Sequence, residues 1–156
     1  MKDEYTVTKQ IRKYVSDHIN QYINLDDNLP LEELSDRQIL IDSPDVDNMV
    51  GKTTVYFEHD YGTLQEDTLL SDTFEMSFIV TILSTRDMQR NLQEKVWGYY
   101  SAFYVMARLD QTFGGAVDYS LISNWEFYPL VTPEAGTAGI QFTLNVTFQK
   151  DYGTEG

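Results

Sequence analysis

The sequence predicts an α+β fold in which two amphipathic helices pack on a mainly antiparallel β-sheet, in the rough order αββαββ. Two observations support this: apolar residues recur at helical spacing in two segments, and apolar and polar residues alternate in several others. Pairs of strands separated by single helices favour the α+β class. Because 156 residues with 42% hydrophobic content suit one core, we expect a single domain spanning residues 1–156.

Each helix is predicted from a stripe of apolar side chains three or four residues apart. The first stripe runs through residues 6–24 and comprises Val7, Ile11, Tyr14, Val15, Ile19, Tyr22 and Ile23. The second comprises Met88, Leu92, Val96, Tyr99, Phe103 and Met106, with Thr85 or Asp87 available as its N-cap. Gly98 lies inside this second helix, where glycine costs about 1 kcal/mol relative to alanine, so it indicates close packing.

The strands are predicted from β-branched and aromatic runs and from alternation. Residues 53–59 and 73–84 form the first pair, joined by a polar, protruding arm at about residues 60–73. In the second pair, one strand places Val117, Tyr119, Leu121, Trp125 and Phe127 on one face, and the last strand places Ile140, Phe142, Leu144, Val146 and Phe148 on one face. The turn-rich connector between them predicts an antiparallel hairpin. In the acidic, loop-rich segment 25–52, Ile39, Leu40 and Ile41 are the candidate for a short extra strand.

Negative charge is concentrated in the middle of the chain. The formal net charge is −14, and residues 26–75 hold fourteen acidic residues against Arg37 and Lys52. A protein that clamps nucleic acid needs basic residues against the phosphates, so we expect no direct DNA binding. A solvated acidic surface that favours solubility is the simplest interpretation of this charge.

The motif Gly51-Lys52-Thr53 matches the end of a nucleotide-binding P-loop, but its surroundings do not. The position of the first P-loop glycine is Val46, and a strand-like segment follows where a helix is required. The acidic stretch around Asp45 fails the spacing of a calcium loop, and two histidines without ordered carboxylates give no zinc signature. We therefore expect no enzyme, no cofactor and no metal site.

Other features of the sequence bear on location and binding. No apolar run of 18 residues and no signal-peptide pattern occur, so we expect a soluble protein without a membrane association. The absence of cysteine fits a reducing compartment. Most aromatic residues fall on predicted core stripes, and Trp125 with Tyr128 is a candidate subunit contact. A carbohydrate- or ligand-binding module stays open as an alternative.

The second half of the sequence resembles the tail terminator, or tail completion, proteins of long-tailed bacteriophages. The residues that carry the resemblance are TFEMSFIVTILST, the helix beginning near RDMQRNLQEKV, VDYSLISNWEFYPLV and, after a glycine-rich connector, GIQFTLNVTFQKDYG. The resemblance covers residues 53–152, and the helix at residues 6–24 is compatible with it. The segment 25–52 has no counterpart in the family pattern.

The resemblance implies a structural virion protein of the tail or neck, assembled in the cytoplasm of the bacterial host. It implies a ring, hexameric when assembled, that caps the tail tube protein, stops its polymerisation and offers a docking surface for head–tail joining through a head-completion or connector protein. A head-completion or neck connector protein is the alternative within the same class. DNA would pass through such a ring without specific binding, and we expect Glu66, Asp67 and Asp72 of the arm to face the channel and repel phosphates.

Overall fold

A computed structural model describes residues 3–23, 31–42, 53–85, 92–128 and 136–152. The helices are α1 (Glu4–His18), α2 (Asn20–Ile23) and α3 (Leu92–Leu109), with a 3-10 turn at Asp36–Gln38. The strands are β1 (Ile39–Ile41), β2 (Thr53–Asp67), β3 (Ser71–Thr85), β4 (Tyr119–Tyr128) and β5 (Thr137–Asp151). The predicted α+β class is confirmed at this level.

The five strands form one mixed sheet with the order β1-β2-β3-β5-β4. Three neighbouring pairs are antiparallel, including the predicted pairing of β4 with β5. The short strand β1 pairs parallel to β2, with Ile39 opposite Val55 and Ile41 opposite Phe57. The predicted order αββαββ is therefore incomplete, because the apolar run at residues 39–41 adds a strand before the first predicted pair. Since this added strand is parallel to β2, the sheet is mixed.

The core lies between one face of the sheet and the helices, and we call this side of the sheet the helix face. The stripes of α1 and α3 meet the alternating residues of β3 and β5 there, so that Val7, Ile11, Phe103, Met106, Phe78, Val80, Phe142 and Leu144 are all buried. The Asp3 carboxylate accepts a hydrogen bond from the Thr6 amide at 2.7 Å and so caps α1. The predicted helical and strand stripes thus meet in one core.

The close packing predicted at Gly98 is present. A Cβ atom built on Gly98 would lie 2.6 Å from Cδ1 of Leu31, a separation that real Cβ contacts do not reach. Leu31 and Leu34 are buried in the core, and the Tyr99 hydroxyl donates to the Glu32 carbonyl oxygen at 2.7 Å. Part of the acidic segment, residues 31–34, therefore packs against α3, and Gly98 makes the room for it.

The predicted face of β4 is wrong in its first half. Asn124 adopts a left-handed backbone conformation with φ 48, and the register against β5 shifts between Ser123 and Trp125. This bulge reverses the alternation. Leu121, opposite Asn145, therefore lies on the other side of the sheet, which we call the outer face, whereas Trp125, opposite Phe142, lies on the helix face.

The segment predicted as a polar arm is strand on both sides of its turn. β2 and β3 pair up to Asp67 and Asp72, and β5 continues beside β3 until Asp151 lies opposite Ser71. The Tyr152 amide then donates to the Leu70 carbonyl oxygen at 2.7 Å. The arm is therefore the end of a three-stranded ribbon, in which backbone hydrogen bonds extend the sheet beyond its core.

Candidate assembly surfaces

The exposed half of β2, with the ends of β3 and β5 that lie beside it in the sheet, is the first candidate surface. We define this β-extension as residues 58–67 of β2, 71–77 of β3 and 145–152 at the end of β5. Every residue of β2 from position 58 onward is exposed, and at the turn Leu69 is 94% and Leu70 61% exposed. Single exposed apolar residues are ordinary, but two adjacent exposed leucines at the tip of an ordered ribbon make that tip a candidate for contact with a partner.

The β-extension is anchored to α1 through Lys150. The Lys150 Nζ atom lies 2.7 Å from Oε1 of Glu4 and 4.7 Å from the centre of the Phe74 ring. This hydrogen bond lowers the pKa of Glu4 below its usual value. Phe74 also stacks on Phe148, with ring centres 5.8 Å apart. These contacts join β3 and β5 to the start of α1.

The three acidic residues predicted to face a channel lie on two sides of the β-extension. Asp67 is directly opposite Asp72 on the helix face, where the Tyr152 hydroxyl donates to Oδ2 of Asp72 at 2.9 Å. Glu66 is opposite Thr73 on the outer face. The structure therefore brings Asp67 and Asp72 together and separates both from Glu66 by the thickness of the sheet.

The second candidate surface is the aromatic seam where β4 meets α3. Trp125, which is 57% exposed, packs edge-on against Trp97 with ring centres 5.1 Å apart. Trp97 also stacks on Phe127 at 5.9 Å, and Tyr100 and Tyr104 continue along the helix. Tyr128 ends β4 opposite Gly139; its side chain lies outside the described part of the chain. Trp97 was not singled out from the sequence, although its position one residue after the Val96 stripe places it at the border of the buried face.

A cleft of about 540 Å³ lies between α1 and the turn that follows α3. Asp110 organises this turn: its carboxylate accepts hydrogen bonds from the Thr112 hydroxyl at 2.6 Å, the Thr112 amide at 3.0 Å and the Gly114 amide at 3.0 Å. These bonds, the Thr112 hydroxyl above all, lower the pKa of Asp110. Lys13 and Asp17 at the rim pair with each other at 2.8 Å. The charged groups of the cleft thus serve the fold.

The described residues assemble no recognisable chemical centre. Thr53, which ends the P-loop-like motif, is the first residue of β2, is buried, and shares a 2.7 Å hydrogen bond with the Ser84 hydroxyl, whereas Gly51 and Lys52 lie outside the described residues. Within the described ranges, no group of three or more histidine or acidic side chains is placed to hold a metal ion. None of the helices there has the length and apolar content needed to cross a membrane.

No protein-family model matches the chain, and a search of curated proteins returned no match. Among solved structures, the fold is similar to the sheath/tube terminator, in its extended state, of PVC, an extracellular contractile injection system. The TM-score is 0.49 at 10% identity, over 94% of this chain and 58% of that chain. This chain therefore spans a little over half the length of that structure.

Proposed function

We propose that this protein is a tail terminator: a structural subunit that forms a ring on the end of a phage or phage-like tail tube, stops the tube from growing and provides a docking surface for the head connector. The β-extension carries this proposal. About ten residues of β2 lie outside the core with all their side chains in solvent, an arrangement that adds exposed strand edge without adding buried apolar area. Such a strand gains its stabilising contacts from other subunits.

The distribution of charge supports a ring through which DNA passes. Residues 53–85 contain six acidic residues and no lysine or arginine, and all six acidic residues lie in the β-extension. Carboxylates facing a channel repel phosphates and oppose adhesion of the duplex. Because Glu66 lies on one face and Asp67 and Asp72 on the other, the channel-facing element in this proposal is the ribbon as a whole, with carboxylates on both of its sides.

The tip of the β-extension and the aromatic seam have separate roles in the proposed assembly. Leu69 and Leu70 lie at the far end of the β-extension, where they are placed to contact a partner above or below the ring, such as the tube protein or the connector. Trp125 lies at the side of the molecule and is placed to contact a neighbouring subunit. We propose a hexameric ring, assembled on the tube in the host cytoplasm and retained in the virion.

The test is to follow tube growth. A tail tube protein is polymerised alone and with the purified protein, and tube lengths are measured by negative-stain electron microscopy. We expect short tubes of restricted length with a ring at one end when the protein is present. A double variant with Leu69→Ser and Leu70→Ser should lose this effect, whereas Leu109→Ser, at the exposed end of α3, should retain it. Unchanged tube lengths with no protein at the tube ends would contradict the proposal.

A further inference from the structure

Besides the outer edge of the short strand β1, the described sheet has two stretches of strand edge with which no described strand pairs. One is the outer edge of β4, whose described partner β5 lies on its inner side. The other is residues 58–67 of β2, because the pairing of β1 ends at Phe57. Edge strands present unpaired backbone N–H and C=O groups, which are ready to receive another strand. These two edges lie at opposite ends of the described sheet.

The directions of the strands make the two edges complementary. β2 is antiparallel to β3, β3 to β5 and β5 to β4, so β2 and β5 run one way and β3 and β4 the other. A second copy placed beside the first in the same orientation presents its β2 antiparallel to β4. The contact joins two different surfaces, so repeating it generates a ring when the rotation closes.

One row of residues across the sheet ends in an apolar side chain at both edges. Tyr61 lies opposite Ser77, Ser77 opposite Asn145, and Asn145 opposite Leu121. All four residues are on the outer face, and the two ends, Tyr61 and Leu121, are 55% and 44% exposed. In a ring whose copies are related by rotation without a shift along the strands, Leu121 of one copy lies opposite Tyr61 of the next; we call this the level register. Aromatic–aliphatic cross-strand pairs stabilise sheets.

The rows on either side of this one are compatible with the same register. One row runs from Thr63 to Tyr119, and the other runs from Glu58 to Ser123. Continued into the next copy, they pair Tyr119 with Thr63 and Ser123 with Glu58. No two acidic residues face each other in these three rows.

A different register would bring like charges together. If the strands slid by four residues, so that all of β4 paired with residues 58–67, Glu126 would face Asp60 and Tyr119 would face Asp67, counting along both strands. Directly opposed like charges destabilise a sheet. Charge thus favours the level register, in which Leu121 meets Tyr61.

We infer that neighbouring copies of this chain join edge to edge, with residues 119–123 of β4 in one copy antiparallel to residues 58–63 of β2 in the next and Leu121 against Tyr61. The joined strands make one continuous sheet around the ring. The inference deepens the proposed function and rests on it for the closed ring; the edge contact itself is a property of the chain alone.

The test uses engineered cysteines, because the chain has none of its own. Single variants Tyr61→Cys and Leu121→Cys are mixed, bound to tubes and oxidised under mild conditions. Directly opposed residues have Cβ atoms about 4.5–5.5 Å apart, close to the separation that a disulfide requires. We expect covalent dimers from the mixture and a ladder of multimers from the double variant. Each single variant on its own should give neither product.

Two further pairs act as controls. Gln65→Cys with Leu121→Cys reports the register shifted by four residues, and Leu109→Cys with Tyr61→Cys reports random collision of exposed sites. Cross-linking of either control pair in preference to the Tyr61 and Leu121 pair overturns the inference. So does the absence of cross-links in protein that caps tubes, and in that outcome the proposed function stands.

A specific cross-link without an effect on tube growth would support the edge contact alone. Specific cross-links between Tyr61→Cys and Leu121→Cys in concentrated solution, in a protein that leaves tube length unchanged, support the edge contact and contradict the terminator function. If the protein neither caps tubes nor yields the specific cross-link at any concentration, both proposals are wrong.

Discussion

The two halves of β2 show how one strand serves two purposes. Residues 53–57 are all buried, under α1 and α3 on one side and beside Leu40 and Leu83 on the other. Residues 58–67 of the same strand are all exposed, yet they keep the same pairing with β3. The first half stabilises the subunit through apolar burial, whereas the second is held by backbone hydrogen bonds and leaves its side chains for contacts outside the subunit.

Substitutions in the two halves should therefore differ most in their effect on stability. Phe57 is 1% exposed, and its ring lies 6.3 Å from those of Phe78 and Phe103. We expect Phe57→Ala to lower the free energy of unfolding by about 3–5 kcal/mol and the matched Leu64→Ala, in the exposed half, by less than about 0.5 kcal/mol. Urea denaturation of both variants measures the difference.

A control covers the case in which Phe57→Ala does not fold. Phe57→Leu keeps much of the buried volume and should lower the free energy of unfolding by about 1.5 kcal/mol. Similar losses for Leu64→Ala and Phe57→Leu would mean that the exposed half of β2 also stabilises the isolated subunit, and the distinction between the two halves would fail.

The covered half of the molecule is also the half that the sequence predicts well. The stripes through Val7, Ile11 and Val15 and the alternation through Ile140, Phe142 and Leu144 are buried as expected, because burial of apolar area imposes a period on the sequence. In residues 58–67 of β2 neither face is buried, so no period is imposed there. The segment between Asp60 and Thr73 thus has the composition of a loop, although its backbone pairs as a strand.

The bulge in β4 shows a second reason for a missed prediction. Up to Ser123 the apolar residues Tyr119 and Leu121 continue the phase of Trp125 and Phe127, so the sequence suggests one face. Only the left-handed conformation of Asn124 reverses it, and asparagine tolerates that conformation without being required to adopt it. Trp97 and Trp125 meet because of this reversal.

We expect Asn124→Val to lower the free energy of unfolding by about 1–2 kcal/mol, because a β-branched residue is strained in the left-handed region. Glycine adopts this conformation freely, so Asn124→Gly should change the free energy of unfolding by no more than about a few tenths of a kcal/mol. Urea denaturation gives the stability, and tryptophan fluorescence reports whether Trp97 and Trp125 stay in contact. Equal losses in both variants would assign the role of Asn124 to its side chain and leave the bulge without a backbone cause.

The prediction that Glu66, Asp67 and Asp72 face a channel stays a prediction, and the strand pairing gives their arrangement in the sheet. A simple alternation from Phe57 would place every odd residue of β2 on the helix face. Register shifts between His59 and Tyr61 and between Leu64 and Glu66 change that phase twice and cancel, so Asp67 lies on the helix face and Glu66 on the outer face, as simple alternation also requires. The separation of Glu66 from Asp67 was hidden in the sequence because the segment was predicted as an arm and not as a strand.

The smallest predicted effect tests this arrangement of charge. Asp67 directly faces Asp72, whereas Glu66 faces the neutral Thr73. Removing one of two opposed like charges should stabilise the ribbon, so we expect Asp67→Asn to raise the free energy of unfolding by about 0.3 kcal/mol at low salt. Glu66→Gln removes the same charge one residue away and should leave the free energy of unfolding nearly unchanged.

Salt dependence distinguishes the paired repulsion from a general effect of net charge. Exposed charges are screened over about 3 Å at 1 M salt and about 30 Å at 0.01 M, so the gain from Asp67→Asn should disappear at the higher concentration, as measured by paired urea denaturation curves. If Asp67→Asn and Glu66→Gln stabilise equally at low salt, the relevant quantity is the total charge of −14, not the pair across the strands. If Asp67→Asn alone stabilises, Asp67 and Asp72 face each other in solution as they do in the sheet, and the β-extension retains a repulsion that an isolated subunit does not need.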